Sequence, residues 1–248
     1  MRANDILFGY RPVSPEEKRR LVGEQFASIA GRYDLVDTVL SAGRDGYWRR
    51  RAISLLGLAA GETVLDLCGG TGGLALRASR RTGAGGRVVI CDFSRAMMEA
   101  GRAKVGRSPA GGSIHFLQGD AESLALADAS VDAATLGFGL RNFVRTQAGL
   151  NEMHRVLKPG GKLLVLEFSL PVGRLRRLLY DFYSFRIMPP LARLICGTEG
   201  PYRYLAESIR VFPPPAEVEA LIGEAGFIDV AFRRLTGGIA VIYTAKKS

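Results

Sequence analysis

A glycine-rich turn followed by an acidic residue is the first feature that could do chemistry. Segment 64–73 reads VLDLCGGTGG, an apolar strand pattern that runs into the turn. Glycines let the backbone pass close beneath a ligand, where a Cβ atom would collide. Asp92 follows Gly72 by 20 residues, and an acid at this place in a doubly wound sheet accepts hydrogen bonds from ribose hydroxyls. The spacing predicts a site for a nucleoside cofactor.

Asp66, just before the glycines, narrows the choice of nucleoside. Dinucleotide sites use the pattern G-x-G-x-x-G to hold a pyrophosphate, and the only such register, at 70–75, ends in alanine. A carboxylate is unfavourable beside a pyrophosphate but suits a cofactor with a cationic amino-acid end, such as S-adenosylmethionine. A second interpretation, in which Asp66 caps the amides of the turn, is compatible with the first.

Asp120, in the segment 119–122 (GDAE) after the third predicted strand, could accept a hydrogen bond from an adenine amine. The glycine turn, Asp92, Asp120 and the Pro-Gly-Gly turn at 159–161, in this order, predict an S-adenosylmethionine site of a class I methyltransferase. A glycine-rich turn that binds no cofactor is the less favoured interpretation.

The elements that must position these residues alternate between short apolar runs and helical patterns, which is typical of a parallel α/β sheet. Ser94 is expected to cap the helix that follows Asp92. The turn Pro159-Gly160-Gly161 is expected to stop the helix that precedes Pro159. Strands are predicted at 63–67, 87–91, 114–118, 131–136 and 162–168, with helices at 73–82, 94–105 and 146–157. A further helix at 214–225 precedes two strands, 227–234 and 239–245, expected to form an antiparallel edge.

These patterns predict an α/β, Rossmann-like class I methyltransferase fold. Its central sheet is expected to be mostly parallel with an antiparallel C-terminal edge, and helices to cover both faces. Residues 1–60 are interpreted as an N-terminal helical arm, and 61–248 as the methyltransferase domain with an inserted helical lid at 171–212.

The formal net charge of the 248-residue chain is +10, and the basic excess is densest in the lid. A basic surface can attract nucleic acid, an anionic membrane or an acidic ligand. The residues before Pro189 are predicted to form a basic amphipathic helix that lies on an anionic membrane and ends at Pro189-Pro190. A plain helical cap over the site is the alternative.

The three cysteines have no CxxC spacing and no histidine cluster nearby, so neither a disulfide framework nor a metal site is expected. No leader and no apolar run long enough to cross a bilayer is visible. We therefore expect a cytoplasmic protein, peripheral at the inner face of the membrane if the lid binds lipid.

Several longer motifs resemble the UbiE/MenG-type quinone C-methyltransferases. The resemblance covers about residues 22 to 243, and its GFGLRN, YRYLAESI and LTGGI pieces are the most particular. The motifs are Tyr33-Asp34, GGTG at 69–72, GFGLRN at 137–142, RVLKPGG at 155–161, YRYLAESI at 202–209 and LTGGI at 235–239.

The resemblance implies methyl transfer from S-adenosylmethionine to a ring carbon of a polyprenylated quinol. It places cofactor contacts at Thr71, Asp92, Asp120, Ala121 and Gly137, where the family commonly has serine at the last position. With the residues inferred from the turn, the candidate cofactor-binding set is Asp66, Gly69, Gly70, Thr71, Gly72, Asp92, Asp120, Ala121 and Gly137. The ring type, the prenyl length and a homodimeric state stay open.

Methylation at carbon needs an electron-rich ring, which a quinol gains as a phenolate. Arg141 cannot act as a base at ordinary pH, but it can stabilise a phenolate or orient a water molecule. Tyr33 and Tyr202 are the other catalytic candidates. The alternative role of Arg141 is a salt bridge to Asp120 or Glu167.

Two other functions remain as alternatives. One is a methyltransferase for another small apolar acceptor. The other is a nucleic-acid methyltransferase or an RNA-binding module, which the pI of about 9.9 allows. The sequence has neither an Asn-Pro-Pro-Tyr-type tetrapeptide nor an RNP motif, so no nucleic-acid partner is expected.

Overall fold

The computed structural model describes residues 6–248 and has a seven-stranded sheet with helices on both faces. The strand order in the sheet is β5-β4-β3-β6-β7-β9-β8, parallel from β5 to β7 and antiparallel at β9 and β8. The predicted fold class is thus confirmed. The strands are β1 (Leu7–Phe8), β2 (Arg11–Pro12), β3 (Thr63–Leu67), β4 (Arg87–Asp92), β5 (Ile114–Gln118), β6 (Val131–Gly137), β7 (Leu157–Phe168), β8 (Phe227–Leu235) and β9 (Ala240–Lys247).

Ten α-helices accompany these strands in residues 6–248. They are α1 (Pro15–Ile29), α2 (Tyr33–Leu40), α3 (Arg44–Leu56), α4 (Ala75–Thr82), α5 (Arg95–Val105), α6 (Thr146–Val156), α7 (Arg174–Phe182), α8 (Met188–Cys196), α9 (Gly200–Val211) and α10 (Pro215–Glu224). Ser94 caps α5 as predicted, since its side chain accepts from the Met97 backbone N–H. The segment expected to be wholly helical also contains a small hairpin, β1–β2, before α1.

The central strands are buried on both faces, so their side chains alternate between two apolar clusters. Leu65 and Leu67 of β3 pack into one cluster, whereas Val64 packs into the other. A strand covered on both sides reads as a continuous apolar run, as β3 does. The arrangement brings the carboxyl ends of β3, β4, β5 and β6 to one edge of the sheet.

Helix α6 ends before the Pro-Gly-Gly turn, as predicted, but the turn lies within strand β7 instead of preceding it. Helix α6 already ends at Val156, and Leu157 pairs with Val131 as the first residue of β7. The pairing resumes at Lys162 with Ala133, so 158–161 form a bulge within the strand. Gly160 takes a positive φ of 72° there, a conformation that glycine adopts without strain. The pairing of Leu157 with β6 decides where the helix ends.

The lid is a run of three helices. The prediction that Pro189-Pro190 end a helix was wrong. Helix α7 passes through a π-helical turn at Tyr183–Ile187 directly into α8. Pro189 and Pro190 lie in the first turn of α8, where no intrahelical N–H is needed and proline is favourable. They start a helix rather than end one. Within residues 6–248, no helix combines the length and the apolarity needed to cross a bilayer.

Candidate active site

A cleft of about 1070 Å³, counted to its open mouth, lies at the carboxyl edge of the parallel strands. Loops from four neighbouring strands line it in the order in which the strands lie in the sheet: Asp120 after β5, Asp92 at the end of β4, Gly70 after β3 and Gly137 at the end of β6. This edge is where open α/β sheets bind their ligands. The N-terminal segment supplies the opposite wall through α1 and Tyr33.

The glycine turn forms the floor of the cleft. Gly70 and Gly72 have positive φ angles of 49° and 79°. A Cβ atom at Gly69 would lie 2.9 Å from the Asp66 backbone oxygen, and one at Gly70 would lie 3.0 Å from Met97 Cε. These positions therefore admit no larger residue without a shift, and they leave the backbone accessible to a ligand.

Asp66 is buried and holds the turn in place. Its carboxylate accepts hydrogen bonds from the Ala75 backbone N–H at 3.0 Å and from Thr135 Oγ1 at 2.7 Å. Burial raises the pKa of Asp66 to about 6. Asp66 therefore accepts from the first amide of α4 rather than from the amides of the glycine turn named in the alternative, and it also lines the cleft.

Asp92 connects the end of β4 with the glycine turn. Its Oδ2 accepts from the Gly70 backbone N–H at 2.9 Å, and its Oδ1 accepts from the Ser94 N–H at 2.8 Å. Burial raises its pKa to about 6, although these backbone hydrogen bonds act in the opposite direction. The carboxylate is held in a fixed orientation at the middle of the cleft wall.

The far end of the cleft carries Asp120, Ala121 and Glu122. The Asp120 side chain is half-exposed and accepts from the Glu122 backbone N–H at 2.8 Å. The Glu122 side chain is buried, accepts from two backbone N–H groups of the loop at Val144 and Arg145, and pairs with Arg19 of α1 at 3.1 Å. The sequence interpretation missed Glu122, whose only signal was a second acid two residues after Asp120.

Helix α1 is fastened over the cleft by Lys18 as well as by Arg19. The buried Lys18 donates from Nζ to the Phe143 carbonyl oxygen at 2.7 Å. Burial lowers the pKa of Lys18 to about 8. On the neighbouring helix, Asp34 of α2 accepts from Thr71 Oγ1 at 2.8 Å. The N-terminal segment thus contacts the glycine turn and the loops after β5 and β6.

The three catalytic candidates do not meet at one point. Tyr33 lines the cleft, and burial raises the pKa of its hydroxyl. The side chain of Arg141 is only 6% exposed; it pairs with Glu167 at 2.7 Å and is not among the cleft-lining residues. Tyr202 packs in an apolar cluster with Val36 and the lid, also away from the cleft lining. The salt bridge to Glu167, named as the alternative for Arg141, is therefore present.

Gly137 has a steric reason to lack a side chain. A Cβ atom built on it would lie 2.7 Å from Leu74 Cδ1, well inside van der Waals contact. Leu74 is itself buried, so a serine at 137, common among the proteins that this sequence resembles, would require the leucine to move.

The cleft residues fit S-adenosylmethionine. The glycine floor carries no side chain at Gly70, and the fixed carboxylate of Asp92 lies beside it, where it could accept from ribose hydroxyls. Asp66, Asp92, Asp120 and Glu122 all line the cleft. This acidic lining favours a ligand with cationic groups over one with a pyrophosphate.

Comparisons with known proteins show the family of this chain. The model of the ubiE/COQ5 methyltransferase family matches residues 13–247. A Pseudomonas putida protein named Ubiquinone/menaquinone biosynthesis C-methyltransferase UbiE is 44% identical over 240 residues, which cover 97% of this chain and 94% of that protein. A Marinomonas protein of the same name is 40% identical, over 97% of this chain and 96% of its own length.

A solved structure supports the fold in the same way. The crystal structure of a SAM-dependent methyltransferase from Aquifex aeolicus has a TM-score of 0.60 and 19% identity, covering 87% of this chain and 98% of that one. At this identity the likeness concerns the fold alone. The family match and the relatives extend over nearly the whole chain. The chain therefore belongs to the ubiE/COQ5 methyltransferase family and is an S-adenosylmethionine-dependent C-methyltransferase.

Proposed function

We propose that this protein transfers a methyl group from S-adenosylmethionine to a ring carbon of a polyprenylated quinol, either a demethylmenaquinol or a polyprenyl benzoquinol. The observation that carries the proposal is the near full-length similarity to proteins named Ubiquinone/menaquinone biosynthesis C-methyltransferase. It is supported by a cleft whose floor and acidic wall suit the methyl donor.

We propose a part of the donor for each residue, and the order of the loops along the sheet supports it. Asp120 and Ala121 would hold the adenine, Asp92 the ribose hydroxyls, and the turn at 69–72 would pass beneath the donor, with Asp66 behind it. Thr71 and Gly137 complete the wall of this site. The bound donor supplies a methyl group on a sulfonium, which is attacked in line by an electron-rich carbon. The chain contributes orientation, since correct alignment of the two reactants removes much of the entropic barrier.

Arg141 is the group proposed to stabilise a phenolate form of the acceptor. Its Nε–H is buried without a hydrogen-bond partner among the described residues. Its Nη1 group donates to Glu167 and to the Phe138 carbonyl oxygen. A buried donor without a partner is costly. Since Arg141 does not line the cleft, its side chain would have to turn toward the cleft to donate to an acceptor oxygen bound there. Tyr33, on the cleft wall, would orient the ring; its raised pKa keeps it protonated as a donor.

Membrane contact through the lid is the part of the proposal that concerns substrate delivery. Leu175, Leu178, Leu179 and Phe182 recur on α7 at the spacing of one helix face, with exposures between 59% and 69%. None of the residues of α7 is buried. Arginines at 174, 176 and 177 belong to the same helix. An apolar stripe with adjacent arginines suits the interface of an anionic bilayer, where a polyprenylated quinol would be dissolved.

The direct test is methyl transfer from labelled S-adenosylmethionine to a panel of reduced and oxidised quinones in detergent. A labelled C-methyl product is expected from one or both quinol ring types and from no oxidised quinone, because only the reduced ring can become a phenolate. Mass spectrometry of the product would distinguish carbon from oxygen methylation. Tight binding of the donor with no product from any quinol would contradict the quinol acceptor, and product from another apolar acceptor would replace it.

A further inference from the structure

Arg49 of α3 is a buried guanidinium on the cleft wall to which neither the sequence motifs nor the proposed reaction gave a role. Its side chain is 11% exposed and lines the cleft. It donates to Asp37 of α2 at 2.7 Å and to Asp45 of its own helix at 2.5 Å. A guanidinium held by two carboxylates has a fixed orientation, because both end nitrogens are engaged.

The guanidinium lies against the glycine turn, at the opposite end of the cleft from Asp120. A Cβ atom built on Gly73 would lie 3.0 Å from Arg49 Nε, and the Arg49 Cζ atom is 5.5 Å from the centre of the Phe138 ring. Gly73 follows β3 and Phe138 follows β6, whereas Asp120 follows β5, two strands away from β3 in the sheet. Arg49 therefore lies on the side of Asp66, beyond the ribose position marked by Asp92.

Arg49 retains donor capacity toward the cleft. An arginine side chain has five N–H donors and no acceptor, and the bonds to Asp37 and Asp45 use one nitrogen each. Its Nε makes no hydrogen bond among the described residues and is not among their buried, unpartnered atoms. A donor at that position faces open space next to the turn.

We propose that Arg49 binds the carboxylate of the amino-acid end of S-adenosylmethionine. With adenine at Asp120 and ribose at Asp92, that end must lie near the turn at Gly73 and Phe138. A second guanidinium lies at the same point of the turn, since Arg77 donates to the Gly73 carbonyl oxygen at 2.7 Å. Asp66, which also lines the cleft, suits the ammonium and the sulfonium that accompany the carboxylate. The inference rests on the methyl donor assigned above and does not depend on the acceptor.

The competing role of Arg49 is to join α2 to α3 and nothing more. In that case its replacement would loosen the wall and weaken every ligand of the cleft to the same degree. A ligand that differs from the donor only at the carboxylate separates the two roles. Decarboxylated S-adenosylmethionine is such a ligand, because it keeps the adenosine, the sulfonium and the amine.

The experiment is calorimetric titration of both ligands into the wild-type chain and into Arg49→Gln, Arg49→Lys and Arg50→Gln. Arg50 is the exposed neighbour on α3 and provides the matched control. We expect Arg49→Gln to weaken S-adenosylmethionine roughly 10- to 100-fold, the effect of losing a hydrogen bond to a charged group, and to change the decarboxylated ligand by less than threefold. Arg49→Lys keeps a cation beside Asp37 and Asp45. It is the variant titrated with both ligands if Arg49→Gln does not fold.

Equal weakening of both ligands, or unchanged affinity for S-adenosylmethionine in a folded variant, would overturn the inference. A wild-type chain that binds neither ligand would overturn the donor assignment together with it. A chain that binds the donor through Arg49 but methylates no quinol would leave the inference standing and contradict only the acceptor.

Discussion

The cofactor edge of the sheet and the lid differ in how their polar and apolar side chains are buried. At the cofactor edge, Asp66, Asp92 and Glu122 are buried, yet each carboxylate accepts hydrogen bonds from backbone N–H groups of the chain itself. In the lid, α7 buries none of its residues and leaves a row of leucines in solvent. One region satisfies its polar groups internally, and the other leaves its apolar groups without a partner.

The difference shows which region is complete without an outside partner. Buried carboxylates with fixed backbone donors are pre-organised, so binding requires little rearrangement there. A contiguous exposed apolar stripe is unusual for a soluble surface and marks a contact with something else. The comparison predicts that changes at the cofactor edge act on stability and donor affinity, while changes in the lid act on association with a membrane.

The largest effect is expected at the Arg141–Glu167 pair, which lies at the inner end of the cofactor edge. Glu167 is completely buried, so Glu167→Leu leaves an uncompensated guanidinium and should destabilise the fold by about 3–5 kcal/mol. The double change Arg141→Met with Glu167→Leu should recover most of this loss. Chemical denaturation followed by circular dichroism measures both.

Turnover of the same double variant decides between the two roles of Arg141. If Arg141 stabilises the phenolate, methyl transfer stays low although the fold is restored, and donor affinity remains near the wild-type value. Recovery of turnover together with stability would make the pair purely structural.

The next largest effect concerns the lid. Replacing Arg174, Arg176 and Arg177 with glutamine should weaken binding to anionic liposomes by about 3 kcal/mol, at about 1 kcal/mol for each arginine near the surface. Co-sedimentation with vesicles of graded anionic lipid content measures it, and glutamine at Arg80 and Arg81 of α4 is the control. An unchanged partition would favour a plain cap and remove the contrast between the two regions.

The smallest effect is expected at Asp92. Asp92→Ala should weaken donor binding by about 1–3 kcal/mol, because the carboxylate would accept from ribose hydroxyls. Asp128→Ala, whose side chain is 78% exposed, is the control. Unchanged affinity in a calorimetric titration would remove Asp92 from the site.

The pKa of Asp92 gives the same prediction a pH dependence. Burial raises this pKa to about 6 from 3.8, so donor affinity should fall between pH 7 and pH 5 as the carboxylate becomes protonated, and Asp92→Asn should show a flatter profile. The contribution to folding has the opposite sign. Protonated Asp92 contributes to the free energy of unfolding. This contribution is complete below about pH 4 and is lost as the pH rises through about 6.

Local patterns predicted the sheet well. Strands β3 and β5 have the predicted bounds. For β3 the reason is that a strand buried on both faces is an uninterrupted apolar run between turn residues. Ser94 was found by its type and place alone. The error at Pro189 has a physical cause: a proline shows that helical hydrogen bonding is interrupted, but only the neighbouring elements decide on which side of it the helix lies.

The candidate site was predictable where its residues follow strands, and not where they come from elsewhere. Asp66, Asp92 and Asp120 were found because strand ends converge at one edge of the sheet. Glu122 and Arg49 were not found, because their ion pairs form only when α1 and α2 fold over the cleft. Such contacts join positions far apart in the chain, and no spacing rule covers them.

The close approach of Gly137 and Leu74 has a consequence for how this sequence can change over generations. A serine at 137 would place its Cβ atom 2.7 Å from Leu74 Cδ1, so the fitness effect of one position depends on the residue at the other. A lineage that carries Leu74 would meet a penalty on acquiring the serine, and one that first reduced position 74 would not. The order of the two substitutions thus decides whether an intermediate sequence carries this close contact.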